Sequence, residues 1–343
     1  MKNQLKKILK YALLIGIVVL SFQVFIPRSY DVPPPKTRAG TQYWNLSTGS
    51  TIAYTLIPGK SPKKIYPLIY LHGGPGGPIY DSNIGMLTPL SADGYDVYLY
   101  DQAGSGLSER LDHIEQYTAE RHKTDLEEII KQMGAEKVIL IGQSWGAILA
   151  SLYIADNPDK VEKVVFTSPG PMQPRLAALP DISPPDSLKL RKPVFTNSQA
   201  NQKINNIRTR VTTFLAQQFG IKLCSDREAD QFQSYLSNEQ NKSVVCDTSM
   251  TMAAEAGSGF YAHIMTLHSL STLKDPRPAL KKVSTSMLLL KGQCDNQKWS
   301  ASKEYLDHFQ HHQLVVVQNA GHSISLEQPD VYIKSIHDFL NKQ

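Results

Sequence analysis

Residues 137–153 read KVILIGQSWGAILASLY, and few folds tolerate that order. Four aliphatics in a run of five mark a buried strand. The segment that follows, AILASLY, is helix-forming, so the chain must pass from strand to helix within GQSWG. A turn that sharp puts its central residue, Ser144, in a strained backbone region. The residues two places to either side must be small, so that strand and helix can approach. Gly142 and Gly146 stand at those two places. The Ser144 hydroxyl is then expected clear of the sheet, at a helix N-terminus whose dipole favours developing negative charge. Ser105 in AGSGL and Ser258 in AGSGF have adjacent glycines but lack small residues two positions away on both sides, and read as loop residues.

From residue 51 onward the same alternation continues. TIAYTLI, YPLIYL, YDVYLY, KVILI, KVVFT, SMLLLK and QLVVVQ are strand-like. Helical patterns stand between them, such as YTAERHKTDLEEIIKQMG ending at Gly134 and SWGAILASLYIADNP ending at Pro158. Several of these strands are apolar on both faces, so the expected class is α/β, a mostly parallel doubly wound sheet with helices on both sides. The alternation breaks once. Residues 169–278 show no strong strand run, with Pro169, Pro171, Pro174, Pro180, Pro184 and Pro185 crowding the beginning and a polar, helix-like middle. This reads as a helical cap inserted into one sheet domain, whose two parts are residues 42–168 and 279–343.

The formal charge of +5 is unevenly placed: residues 1–38 carry +6, which leaves −1 on the other 305. No run of Lys and Arg follows residue 40, and a nucleic-acid partner is excluded on that ground. The basic block 1–10 precedes an apolar segment, 11–26, and a Pro-rich linker, 27–41, in which Pro33, Pro34 and Pro35 would act as a stiff spacer. Neither VLSFQVF nor IPRSYDV offers a good small-x-small cleavage site, so an uncleaved signal anchor is expected, with secretion after cleavage as the alternative. Four lysines before the apolar run and Arg28 just after it place the N-terminus in the cytoplasm and the domain outside, in a periplasmic or extracellular space. An oxidising compartment would allow Cys224 and Cys246 to form an intrachain disulfide. Two unpaired thiols are the equal alternative, with Cys294 left over as a packed thiol.

A nucleophilic serine needs a base, and the base an orienting acid, both from loops after strands. Of ten histidines, His322 stands directly after a late strand in a glycine-containing turn, LVVVQNAGHSIS. His308, His311 and His312 lie on an expected helix at metal-like spacing, but three histidines on a polar helix face read as solvated, and neither metal nor other cofactor is expected. The strand before the cap ends without a carboxylate, whereas SMLLLKGQCD after it ends in Asp295; Asp101 precedes the serine and reads as structural. The loop HGGPGG, 72–77, frees backbone N–H groups to point at a developing oxyanion, together with the N–H of Trp145.

HGGPGG, DQAGSGLS, GQSWG, GQCD and the AGH turn together resemble the proline iminopeptidases, a branch of the α/β-hydrolases, over about residues 45–340. The resemblance implies Ser144 as nucleophile, His322 as base, Asp295 as acid and the N–H groups of Gly74 and Trp145 as the oxyanion hole. It also implies a cap that recognises the free amine of a short peptide through acidic residues, of which Glu255 is the best match. Two departures stand out: Ala103 replaces the arginine usual in DQRG, and the cap has no tryptophan, leaving Phe260 or Tyr261 to seat a proline. The expected protein is a membrane-anchored serine hydrolase acting on small peptides. The alternatives are an esterase or lactonase on the same triad and a non-catalytic binding protein on the same scaffold.

Overall fold

The computed structural model describes residues 2–172 and 179–342; Pro174 of the proline-rich stretch lies outside them. Among the described residues eight strands form one sheet: β1 (Gln42–Asn45), β2 (Thr51–Ile57), β3 (Leu68–Leu71), β4 (Val97–Tyr100), β5 (Val138–Gln143), β6 (Val161–Thr167), β7 (Ser286–Gly292) and β8 (His312–Val317). Their spatial order is β1-β2-β4-β3-β5-β6-β7-β8. The β1–β2 and β2–β4 pairs are antiparallel and every later pair is parallel. The apolar runs of β5 and β7 make them central strands, because only a strand covered on both faces gains from apolar residues at odd and even positions alike. In β7, Met287 and Leu289 pack on one face, and Leu288 and Leu290 on the other. Each fully buried leucine contributes roughly 2 kcal/mol of transfer free energy.

Outside the cap the helices are α1 (Lys2–Phe25), α2 (Asp81–Ala92), α3 (Ala119–Gln132), α4 (Trp145–Asp156), α9 (Arg277–Leu280), α10 (Trp299–His308), α11 (Ile324–Glu327) and α12 (Pro329–Asn341). The cap holds α5 (Asn197–Ile204), α6 (Ile207–Phe219), α7 (Asp226–Gln240) and α8 (Phe260–Ser269). α3 and α4 cover one face of the sheet, through residues such as Leu126, Ile129 and Leu149. α2 and α12 cover the other, through Leu87, Leu90, Ile336 and Phe339. The helix of α2 and the edge strand β1 are not visible in the alternation. QYWN is too short and too exposed to show a period, and β1 is held in part by Trp44 stacking on Tyr54, with ring centroids 3.6 Å apart.

Three expectations need correction. The histidines do not share a helix: α10 ends at His308 because Phe309 turns inward, and His312 opens β8. Their ring nitrogens bind backbone, His308 Nδ1 to Glu304 O and His312 Nδ1 to Phe309 O, both at 2.7 Å. The linker is not a free spacer, since Pro33–Pro35 line cavities against the cap and Arg38 is buried in the core.

The cysteine pairing is also different. Cys246 is bonded to Cys294, with Cα atoms 5.2 Å apart, and Cys224 is a free, buried thiol beside Thr212 on α6. After α7 the chain leaves the cap helices and crosses onto the loop following β7. There Asn296 Nδ2 donates to Ser243 O at 3.0 Å and Ser323 N to Val244 O at 2.8 Å. That crossing carries Cys246 away from Cys224 and onto Cys294, which is therefore not a leftover thiol.

Candidate active site

The sheet reverses its direction of growth at β3: the chain adds β4 on one side of it, then crosses to add β5 on the other. At such a switch point the loops after the two central strands diverge and leave a crevice at the C-terminal edge. Leu71, the last residue of β3, pairs with Gly142 of β5, so HGGPGG and GQSWG leave the sheet side by side. A methyl group built on Gly73 would lie 3.2 Å from Ser144 Cβ.

Ser144 has φ 53° and ψ −112°, a positive φ that costs a non-glycine residue strain. The two flanking glycines permit it. A Cβ on Gly142 would come within 2.6 Å of Gly146 O, and one on Gly146 within 2.0 Å of Leu71 O. No other residue fits either position without moving the backbone. Ser144 is also tied to the neighbouring strand, its N–H donating to Thr167 O at 3.0 Å.

Behind the serine lies a polar network that the sequence did not suggest. The Gln102 N–H donates to His72 Nε2 at 2.9 Å, so His72 carries its proton on Nδ1 and donates it to Gly73 O, also at 2.9 Å. Burial lowers the pKa of this imidazole, in keeping with the neutral form that the Gln102 N–H on Nε2 requires. Gln102 also donates to His72 O and accepts from Trp145 Nε1 at 2.8 Å. One side chain thus ties the glycine loop to the residue after the serine.

Asp101 is structural, as expected. Its carboxylate takes the Ile79 and Leu107 N–H groups and an ion pair from Arg38 at 2.6 Å. Arg38 comes from the linker, and nothing in PPPKTRAG marks it as a core residue.

Asp295 and His322 meet at the ends of β7 and β8. Gly292 admits the histidine loop, since a Cβ there would lie 1.9 Å from Gly321 O, and Cys294 N donates to Ala320 O at 2.9 Å. His322 Nδ1 donates to Asp295 Oδ1 at 2.9 Å, with Asp295 fully buried. The imidazole Nε2 is left as the basic nitrogen. Burial alone would raise the Asp295 pKa, but Lys291, His322 and the Gln297 N–H outweigh it and hold the carboxyl well below the usual carboxylate range. Lys291 is itself 1% exposed and donates to Asp295 Oδ2 at 2.9 Å. A lone cation in the apolar run MLLLKG, four residues before the acid, was the available signal for it. Glu327 was missed as well: its carboxylate takes the N–H groups of Cys246, Asp247 and Gly321, joining the cap crossing to the histidine loop.

The cap closes over the glycine loop. Gly259 N donates to Gly76 O and Gly106 N to Gly257 O, both at 2.7 Å. Glu255 lies at this seam, but its side chain lines a small cavity with Pro33–Lys36, Tyr80 and Asp81, a lining that includes none of Ser144, Asp295 and His322. Burial raises its pKa, with Lys36 opposing. Among the described residues no cluster of His, Cys, Asp and Glu is arranged to hold a metal ion.

The family model for the alpha/beta hydrolase fold matches residues 66–329. The chain is similar to proline iminopeptidases, 36% identical over 118 residues to that of Lactobacillus helveticus and 39% over 103 residues to that of Heyndrickxia coagulans. These matches cover 34% and 30% of this chain, and 39% and 35% of the relatives. The aligned part therefore spans about two fifths of the length of those relatives. In architecture the chain is similar to an esterase from Exiguobacterium antarcticum, with a TM-score of 0.59, 17% identity, and 88% of this chain and 99% of the esterase covered.

Proposed function

The chain belongs to the alpha/beta hydrolase fold family, and on that premise we propose that it is a serine hydrolase, an aminopeptidase that releases the N-terminal residue of short peptides through an acyl-enzyme. The observation that carries this reading is the buried His322–Asp295 hydrogen bond at the same sheet edge as a serine in a strained elbow. Asp295 fixes the imidazole tautomer, so that Nε2 takes the Ser144 proton as the hydroxyl attacks the substrate carbonyl. The Gly74 and Trp145 N–H groups receive the oxyanion, each donor worth roughly 3–4 kcal/mol in the transition state. The proton then passes from His322 to the leaving amine, and water repeats the sequence to release the acyl group.

The names of the relatives favour a peptide substrate. The placement of Glu255 favours the second reading, an esterase or lactonase, because a carboxylate facing Lys36 and the linker is poorly set to anchor a substrate amine. Glu255→Gln separates the two. An amine anchor predicts a large loss on aminoacyl substrates and little on a short nitrophenyl ester; equal effects, or none, dismiss the anchor.

The triad has its own test. A fluorophosphonate should label Ser144, and Ser144→Ala should lose about six orders of magnitude in kcat. Absence of any adduct would leave a binding protein on a hydrolase scaffold.

Membrane attachment belongs to the same proposal. Gln4–Phe25 is long and apolar enough to span a bilayer, and its side chains are almost entirely exposed. The end of this helix is gripped by the cap: Arg208, in a bidentate pair with Glu228, donates to Val24 O, and Arg28 N donates to Glu228 at 2.9 Å. A cation on the orphan carbonyls of a helix C-terminus stabilises it. A C-terminal tag cut by protease added to intact cells would support an external domain, and a protected tag would contradict it.

A further inference from the structure

The charged groups of the segments that meet at the Asp295 and His322 loops come from β7, the loop after β8, α11, the segment before α5 and the cap crossing. β7 supplies Lys291, and the loop after β8 supplies His322. α11 supplies Glu327, already occupied by three backbone N–H groups. The segment before α5 supplies Arg191, which donates to Asn319 Oδ1 at 3.1 Å and contacts Cys246 Sγ. Asp247 at the crossing is exposed and accepts from Ser249. Of these groups, Lys291 and His322 bond to the Asp295 carboxylate itself.

Lys291 is out of place by ordinary measures. A lysine is almost never fully buried unless paired, and the desolvation of an ammonium is costly. Here the cost is offset by two acceptors, Asp295 Oδ2 at 2.9 Å and Gln297 O at 3.0 Å. Asp295 divides its two oxygens accordingly: Oδ1 takes His322 Nδ1, and Oδ2 takes Lys291 Nζ. A methionine at position 291 would satisfy the packing of β7 without any of that cost.

We propose that Lys291 is a positioning residue for the triad, one that clamps the orientation of the Asp295 carboxylate and partly neutralises the charge it presents to His322. In a serine hydrolase triad the acid stabilises the imidazolium formed as the serine loses its proton. A carboxylate shared with an ammonium attracts that proton less strongly than one facing the imidazole alone. The imidazole is then kept free to act as base at a lower pH, and the activity reaches further to the acid side. The clamp also stops Asp295 from rotating to share both oxygens with the imidazole. This inference rests on the serine hydrolase reading above.

The test is the pH profile of kcat/KM for a short nitrophenyl ester, measured on the full chain in detergent as wild type, Lys291→Arg and Lys291→Met. The acid limb of Lys291→Met should lie about one pH unit above that of the wild type, while Lys291→Arg keeps the wild-type limb. A limb unmoved in Lys291→Met, with only a lowered melting temperature, would overturn the proposal and leave Lys291 a structural cation. If Lys291→Met does not fold, the pair Asp295→Asn and Lys291→Met/Asp295→Asn decides, read by the rate of fluorophosphonate labelling. The double variant leaves no buried charge unpaired. Its acid limb must lie above that of Asp295→Asn alone, where a bare ammonium faces the imidazole; coincident limbs overturn the proposal. A wild type with neither turnover nor adduct instead refutes the hydrolase reading itself.

Discussion

Cys246, on the segment that leaves the cap, is disulfide-bonded to Cys294, the residue immediately before Asp295. The bond closes a loop across a separation of 48 residues, worth about 4 kcal/mol on the chain-entropy model. It fastens the cap to the loop that carries the candidate acid. Denatured without reductant, the protein should therefore take up one equivalent of thiol alkylator, at Cys224, and three equivalents after reduction. The Cys246→Ser/Cys294→Ser variant should unfold at a lower temperature, by an amount corresponding to about 2–4 kcal/mol. Three reactive thiols before reduction would refute the pairing.

Arg38 and Asp101 form an ion pair whose side chains are 5% and 0% exposed. Removing one partner strands the other charge in the core, at a cost of about 3–5 kcal/mol. The linker is thus part of the folded domain. A chain lacking residues 1–26 gives up only the exposed helix and the Val24 contact to Arg208, and should stay close to the urea midpoint of the full chain, whereas one lacking residues 1–40, like Arg38→Met in the full chain, should lose stability by about that amount as well. Equal midpoints for the two truncations would show that Arg38 contributes nothing.

His122 of α3 is buried against the cap, its Nε2 3.0 Å from Thr266 Oγ1 of α8, and burial lowers its pKa to about 3. The folded state holds it neutral while the unfolded chain binds a proton below about pH 6.5, so stability is fully present above that pH and is lost as pH falls toward 3. At pH 5 the loss from this group is about 2 kcal/mol. Urea unfolding at pH 7 and pH 5 should show a smaller difference for His122→Gln than for the wild type. An unchanged difference would mean that other groups carry the acid sensitivity.

Periodicity and small-residue placement were enough to read the α/β sheet and the strained turn at Ser144, because both are properties of neighbouring residues. A buried strand shows as an aliphatic run, and GQSWG forces its own backbone, as the close approaches of Gly142 and Gly146 bear out. The meeting of Asp295 and His322 was legible for a related reason: each stands after a recognisable strand, and strands in a parallel sheet deliver their ends to one edge.

What depended on the tertiary structure is which distant group fills a buried valence. Cys224 and Cys246 lie close in sequence, but docking of the cap crossing took Cys246 to Cys294. Glu255 could be picked out as a carboxylate, while the docked linker decided that it faces Lys36. Arg38 and Lys291 look like surface cations in a string of letters, yet each ends in the core beside an aspartate. Local pattern encodes which face of an element is apolar. The partner of a charge or a thiol is chosen when loops and insertions pack, where the penalty for leaving a buried group unpaired outweighs any local preference.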